Sequence, residues 1–339
     1  MAEFIDSHEW EINPTLFKNK ITFAQGTKPK RIFHYTSITG LQGILEKRTL
    51  RFTNINYLND KDEITAGVES LAKIIDGTDE QKEKLFTPIH ELGERTFVCC
   101  FSLDEDSLPM WNYYTKESHN QDYNIEFNDR LLVESILLNN PLLEGCELSF
   151  SLVEYCKNNH SHYSKIFSNE FNSSLDFAML NFFSTIAKNI SDNDSQLLQE
   201  WETRLNELSK RKKEVGLSVY RYHGQTGKFK RDTSGNYLFF VKRECFSPEK
   251  ELRITITVPP EKLPLLKQRE VYKYRISNGV LVPYLELNFS PNAIQGLTIS
   301  PTTQSDLAEQ SIKDFLKYCD CSFDNPETFI KKSKVPVRF

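Results

Sequence analysis

The chain has 339 residues, seven cysteines and a formal net charge of −5 at neutral pH. That length can bury a substantial core as one domain or two, and the acidic balance excludes a global positive field, so contact with nucleic acid needs a local patch. The N-terminus is charged where a signal peptide needs its apolar stretch, no run of about 18 apolar residues follows, and the odd number of cysteines holds no C-x-x-C pair; the expectation is a cytoplasmic protein with reduced thiols and no membrane contact.

In chain order, residues 1–29 read as an N-terminal extension and 30–128 as the first half of a core. RIFHYTS (31–37) and TLRFTN (49–54) are β-prone and flank a helix with apolar positions Ile38, Leu41, Ile44 and Leu45. A polar turn at Tyr57-Leu58-Asn59-Asp60, with Asp62 and Glu63, leads into an amphipathic pattern at Ile64, Val68, Leu71 and Ile74, and a further helix is predicted over 79–93. TFVCCFS (96–102) predicts a strand, MWNYY (110–114) a short turn or helix, and YNIEF (123–127) another strand. Residues 129–235 predict a mainly helical insertion, on apolar runs such as FAMLNFFSTIAKNI and the spacing of Leu197, Trp201, Leu205 and Leu208. Residues 236–339 return to strands at NYLFFVKREC, ELRITITV, LVPYLELNF and IQGLTIS, followed by a helix over 303–319 and a terminal strand, KSKVPVRF. The expected fold class is α+β, with two β-rich portions forming one split antiparallel or mixed sheet around a helical insertion.

Three segments carry candidate chemistry. His34-Tyr35-Thr36-Ser37 ends a strand just before a helix whose first amides can receive an anion or a sugar hydroxyl; the plainer alternative is a half-buried strand histidine with Ser37 as N-cap. In CFSLDEDSLPMWNYY a strand delivers Ser102 to an edge, and Trp111, Tyr113 and Tyr114 offer flat rings suited to an aromatic base or nicotinamide, or to the core. Strand alternation puts Glu249, Glu251 and Arg253 on one face, either as a solvated ion pair or as carboxylates that stabilise a developing cation. Asn59 and Asp60 are either a turn and cap or a substrate-side rim. His160 and His162 lack nearby metal-ligand partners, and Lys210–Lys213 ends a predicted helix where cations favour the dipole, so no metal site is expected. The P-loop, G-x-G-x-x-G, G-x-S-x-G and H-E-x-x-H patterns are absent.

Together, HYTSITGLQGIL with LRFTNINYLND, CFSLDEDSLPMWNYY, PEKELRI and TISPTTQSDLAEQSIKDFLKY…KVPVRF resemble the bacterial domain of unknown function 2971 family over most of the chain. The family's L-N-D turn corresponds to Leu58-Asn59-Asp60, its C-F-S strand and M-W-x-x-Y to Cys100-Phe101-Ser102, Met110-Trp111 and Tyr114, and its E-x-E-x-R strand to Glu249, Glu251 and Arg253. The chain departs where His119-Asn120-Gln121-Asp122 replaces a His-Lys-Gly stretch. More distantly, R-I-F-H-Y-T-S before a helix is similar to the first motif of ADP-ribosyltransferases, including DarT-like toxins and tRNA 2′-phosphotransferases. This second likeness implies a split-sheet fold of that type and NAD as substrate. It also implies a protein or nucleic-acid acceptor, and a toxin or anti-phage role with a defence-system partner or antitoxin. His34 would contact the ribose, with Tyr35 and Thr36 beside it. Ser102, Trp111, Tyr113 and Tyr114 would hold nicotinamide, and Glu251 would act at the glycosidic bond, with Asn59, Asp60, Glu249 and Arg253 on the substrate side. A non-catalytic nucleotide- or partner-binding module is the alternative, marked by a pocket too small for NAD or by Glu251 closed against Arg253.

Overall fold

The computed structural model of the chain describes residues 10–11, 31–58, 90–114, 122–156, 219–223, 228–232, 239–303, 306–321 and 329–336. A short strand, β1 (Trp10–Glu11), precedes a β-α-β opening of β2 (Arg31–Ser37), α1 (Ile38–Lys47) and β3 (Thr49–Asn54). Ser37 caps α1 by accepting from the Gly40 amide at 3.1 Å, and Leu41 and Leu45 form the helix's buried face. Gly40 has no room for a side chain, since a Cβ there would stand 2.0 Å from Thr36 Oγ1. Residues 90–94 are helical. Then come β4 (Thr96–Ser102), α2 (Leu108–Tyr113), β5 (Asp122–Asn128), α3 (Asp129–Asn139), β6 (Glu147–Leu152) and β7 (Glu154–Cys156). The chain continues through β8 (Val219–His223), β9 (Lys228–Asp232), β10 (Val241–Arg243), β11 (Glu251–Thr257) and α4 (Leu263–Gln268). It closes with β12 (Tyr272–Ser277), β13 (Val280–Asn288), β14 (Ile294–Ile299), α5 (Ala308–Tyr318) and β15 (Ile330–Lys332).

Among the described residues thirteen strands form one open sheet in the order β1-β9-β8-β6-β11-β4-β2-β5-β14-β15, with β3, β13 and β12 branching from β4. Within this sheet the ladders are antiparallel except β14–β15, and β7 and β10 pair in parallel as a separate two-stranded sheet, so the fold is α+β with a mostly antiparallel, mixed sheet. The branch is what creates the site. One edge of β4 is covered along its length by β11, from Glu251 opposite Ser102 to Thr257 opposite Thr96. Two strands share the other edge: β2 meets it at Phe33 opposite Ser102, and β3 at Thr53 and Asn54 opposite Val98 and Phe97. Between those points Cys99, Cys100 and Phe101 have no strand partner on that edge among the described residues, and the sheet forks.

The core lies on one face of this sheet. Phe101 packs edge-on against Phe127 at 5.9 Å, and Phe127 against Phe289 at 5.5 Å. Each such ring removed from water contributes roughly 1.5–3 kcal/mol. That burial holds β4, β5 and β13 in place and so keeps the fork's arms apart.

Three expectations are corrected. In 129–235 only α3 is helical among the longer described elements: β6, β7, β8 and β9 are strands, and β6, β8 and β9 extend the main sheet. The alternation Glu147-Leu148-Ser149-Phe150-Ser151-Leu152 has strand period, which the apolar runs further along the chain obscure; residues 157–218, which hold most of the expected helices, lie outside the described residues. Among the described residues of NYLFFVKREC, 239–245, the strand spans three residues, Val241–Arg243. The terminal strand sits at Ile330–Lys332, ahead of Val335. A hairpin was also hidden: Asn278 and Gly279, at φ 49° and 76°, join β12 to β13, and both positions need the left-handed region that Asn and Gly tolerate.

Candidate functional site

A cavity of about 240 Å³ lies at the fork. His34 enters it from β2, where its ring replaces the missing strand: Nδ1 donates to the Cys100 carbonyl at 3.1 Å. A carbonyl only accepts, so Nδ1 carries the proton, and the neutral ring keeps a bare lone pair on Nε2. Burial pushes the His34 pKa below its usual value, offset in part by the bond to Cys100, and the ring is uncharged at neutral pH.

The carboxylate pair arrives from β11 and the 3-10 turn before it. Glu251 is the first residue of β11, and its side chain shares a face with Arg253 as strand alternation requires. Glu249 is not on the strand; it ends the 3-10 turn Glu244–Glu249, and Lys250, left-handed at φ 44°, swings the chain between them. Both glutamates are buried, at 5% and 4% exposure. Arg253 grips Glu251 with two bonds, Nε to Oε1 at 2.8 Å and Nη2 to Oε2 at 3.1 Å, while its Nη1 donates to the Phe239 carbonyl at 2.7 Å. Lys242 bridges the pair, donating to Glu249 Oε2 at 2.7 Å and to Glu251 Oε2 at 3.2 Å. Tyr114 donates to Glu249 Oε1 at 3.2 Å.

Burial by itself would raise Glu251, but the Arg253 and Lys242 charges overcome it and hold the carboxyl at about 2. Glu249 goes the other way: burial raises it, and Lys242 only partly offsets the rise. Glu251 is therefore an anion at every physiological pH, and Glu249 is the better proton acceptor of the two.

Tyr35, Ser102 and Tyr114 also line the cavity. Ser102 is structural in its bonding: Oγ donates to the Glu249 carbonyl at 2.7 Å and accepts from the Asp104 amide at 3.0 Å, tying the start of β11 to the end of β4. The Tyr35 hydroxyl likewise donates to the Asp104 carbonyl and accepts from the Ser107 amide. Trp111 is buried beside the site; its ring packs edge-on to Tyr35 at 4.7 Å and its Nε1 donates to Asp106 at 2.8 Å. Neither Trp111, Tyr113 nor Thr36 reaches the cavity, and Tyr113 is 62% exposed. Tyr57 and Leu58 line it, whereas Asn59, Asp60, His160, His162 and Lys210–Lys213 lie outside the described residues.

Sequence reasoning missed the cations. Lys242, Arg51 and Arg275 face the cavity with Arg253, giving four cationic side chains against two carboxylates. Lys242 had a signal, since a lysine inside the apolar run FFVKREC needs a buried partner. Arg51 alternates with the buried Leu50 and Phe52, which puts it on the face opposite the core. Tyr155, whose hydroxyl accepts from the Glu251 amide at 2.7 Å, had no such signal.

Compared with known proteins, the chain matches no protein-family model, no curated protein and no solved structure. Among the described residues no helix is long and apolar enough to cross a membrane.

Proposed function

We propose that the chain is an ADP-ribosyltransferase-like enzyme that uses NAD as substrate in the fork cavity and acts on a protein or nucleic-acid acceptor, as a toxin or anti-phage effector. One observation carries the reading: a neutral strand-borne histidine, a tyrosine and a carboxylate pair converge where the sheet splits. The motif resemblance and the split form of the sheet support it.

The chemistry fits the residues. The bond between ribose C1′ and the pyridinium nitrogen breaks, and its electron pair leaves with nicotinamide. A lone pair of the acceptor, or of water in a glycohydrolase, forms the new bond to C1′. The acceptor's proton passes to Glu249, while Glu251 stabilises the oxocarbenium-like sugar and His34 Nε2 accepts from a ribose hydroxyl. Loss of such a carboxylate costs on the order of a hundredfold in rate. The cavity, about 240 Å³, is smaller than the roughly 300–1,000 Å³ usual for drug-sized ligands. It takes the nicotinamide-ribosyl end, and the pyrophosphate runs out toward Arg51 and Arg275.

Labelled NAD tests this: wild-type protein releases nicotinamide and transfers label, and Glu251→Gln does neither. No turnover and no NAD binding by the wild type removes the reading. A second reading, a non-catalytic nucleotide- or partner-binding module of a defence complex, is favoured by the closed Glu251–Arg253 pair and the small cavity. It predicts NAD binding, or binding of a protein partner, without nicotinamide release.

A further inference from the structure

Lys242 does not belong to the strands that build the fork. It sits in the middle of β10, which pairs in parallel with β7 as a separate two-stranded sheet: Val241 opposite Glu154, Lys242 opposite Tyr155, Arg243 opposite Cys156. These two short strands lie on either side of the long segment 157–240. Both reach the glutamates, β7 through the Tyr155 hydroxyl, which accepts from the Glu251 backbone amide, and β10 through the Lys242 ammonium, which donates to both carboxylates. The ammonium is enclosed on three sides, by Glu249 Oε2 at 2.7 Å, Glu251 Oε2 at 3.2 Å and the face of the Phe246 ring at 4.7 Å. Two carboxylates and an aromatic face make a receptor for a cation.

We infer that Lys242 is an internal stand-in for a ligand's cation, and that the β7–β10 clasp is a competing contact that a pyridinium or ribosyl cation displaces, so that the wild type binds and turns over NAD but less readily than it would without the ammonium. The inference rests on the reading of the cavity as an NAD-type site and adds its regulation. Among the cations that line the cavity, Lys242 and Arg253 are the ones in direct contact with the two carboxylates, and Arg51 and Arg275 also line it. Once Lys242 is withdrawn, Glu249 loses the cation that touches it and can take a ligand's cation in that place. A two-stranded ladder of three residue pairs is marginal by itself, so the clasp is held chiefly by the two buried ion pairs of Lys242, and it opens when a ligand's cation takes the place of the ammonium.

The test uses the full chain and 1-methylnicotinamide, a pyridinium cation methylated on the ring nitrogen, with uncharged nicotinamide as control. Lys242→Met and Lys242→Gln are expected to bind the cation at least about tenfold more tightly than wild type, Lys242→Arg is expected to match wild type, and nicotinamide affinity is unchanged throughout. Lys242→Gln keeps hydrogen-bond donors for both carboxylates and guards against misfolding. Cation affinity that does not rise in either neutral variant overturns the inference. So does loss of folding in both, which makes Lys242 a structural counter-ion. The two readings separate in the same experiment: tighter cation binding with no NAD turnover by any variant removes the enzyme and leaves the clasp, whereas NAD turnover with unchanged cation affinity does the reverse.

Discussion

Two glutamates, Glu251 at the fork and Glu134 on α3, are equally buried, each 4% exposed, yet their acidities move in opposite directions. Burial is the first influence on both and pushes both upward. At Glu251 the Arg253 and Lys242 charges overturn it and hold the carboxyl at about 2. At Glu134 the nearby Arg130 offsets it only in part, Oε2 has no hydrogen-bond partner among the described residues, and the carboxyl rises to about 7. Equal burial therefore says nothing about charge until the partners are counted. The fork holds a fixed anion, and α3 holds an acid that titrates near neutrality.

The comparison is broken most forcefully by Arg253→Met. The substitution removes three bonds and leaves Lys242 as the cation beside the buried Glu251, turning the fork toward the condition of α3. Stability is expected to fall by about 3–5 kcal/mol in denaturant unfolding. A loss under about 1 kcal/mol would mean that the pair contributes no more than an exposed one.

Acid comes next. Glu251 has a folded pKa of about 2 against the ordinary 4.5. A depressed carboxyl contributes stability above its unfolded pKa and loses it as pH falls through the folded one. Wild-type stability should thus decline between about pH 4.5 and 2, by an amount on the order of 3 kcal/mol from this group. In Glu251→Gln this part of the acid dependence disappears, as urea titrations at several pH values would show.

Glu134 has the opposite sign. Its folded pKa of about 7 lies above the ordinary 4.5, so its contribution is complete below about pH 4.5 and lost as pH rises through 7. Glu134→Gln should therefore match wild type near pH 4 and be more stable at pH 8, by roughly 2 kcal/mol. Equal stability at pH 8 would show that Glu134 finds a partner in solution and that the contrast with Glu251 is only apparent.

Much of the fork was legible before its geometry. The strands carrying His34, Ser102 and Glu251 follow from apolar and β-branched runs, and strand period put Glu251 and Arg253 on one face. Glu249 joined that face by another route, a left-handed Lys250 that alternation cannot foresee. Trp111 and Tyr113 were read as ligand contacts because aromatic residues serve cores and pockets alike, and only packing separates the two; Trp111 lies against Tyr35 and Tyr113 in solvent. The cations were the larger omission. Lys242 stands only seven residues before Glu249 and Arg275 on a hairpin that Asn278-Gly279 signals, but nothing local shows that β10 pairs with β7, or that β13 pairs with β3 and brings the β12 hairpin to the fork.

The smallest expected effect concerns the last donor to Glu251. The Cys100 thiol donates to its carboxylate from the opposite strand and adds to the charges that lower it. Cys100 stands at the fork, opposite Arg253 in the β4–β11 ladder, so serine can replace it with the same direction and a shorter, stronger donor. Cys100→Ser should move the acid limb of the stability curve to lower pH, with a change at neutral pH no larger than about 1 kcal/mol in either direction. A shift to higher pH would mean that the hydroxyl has turned to another acceptor. The low pKa of Glu251 would then rest on Arg253 and Lys242 alone, and the contrast with Glu134 would reduce to the number of cations within reach.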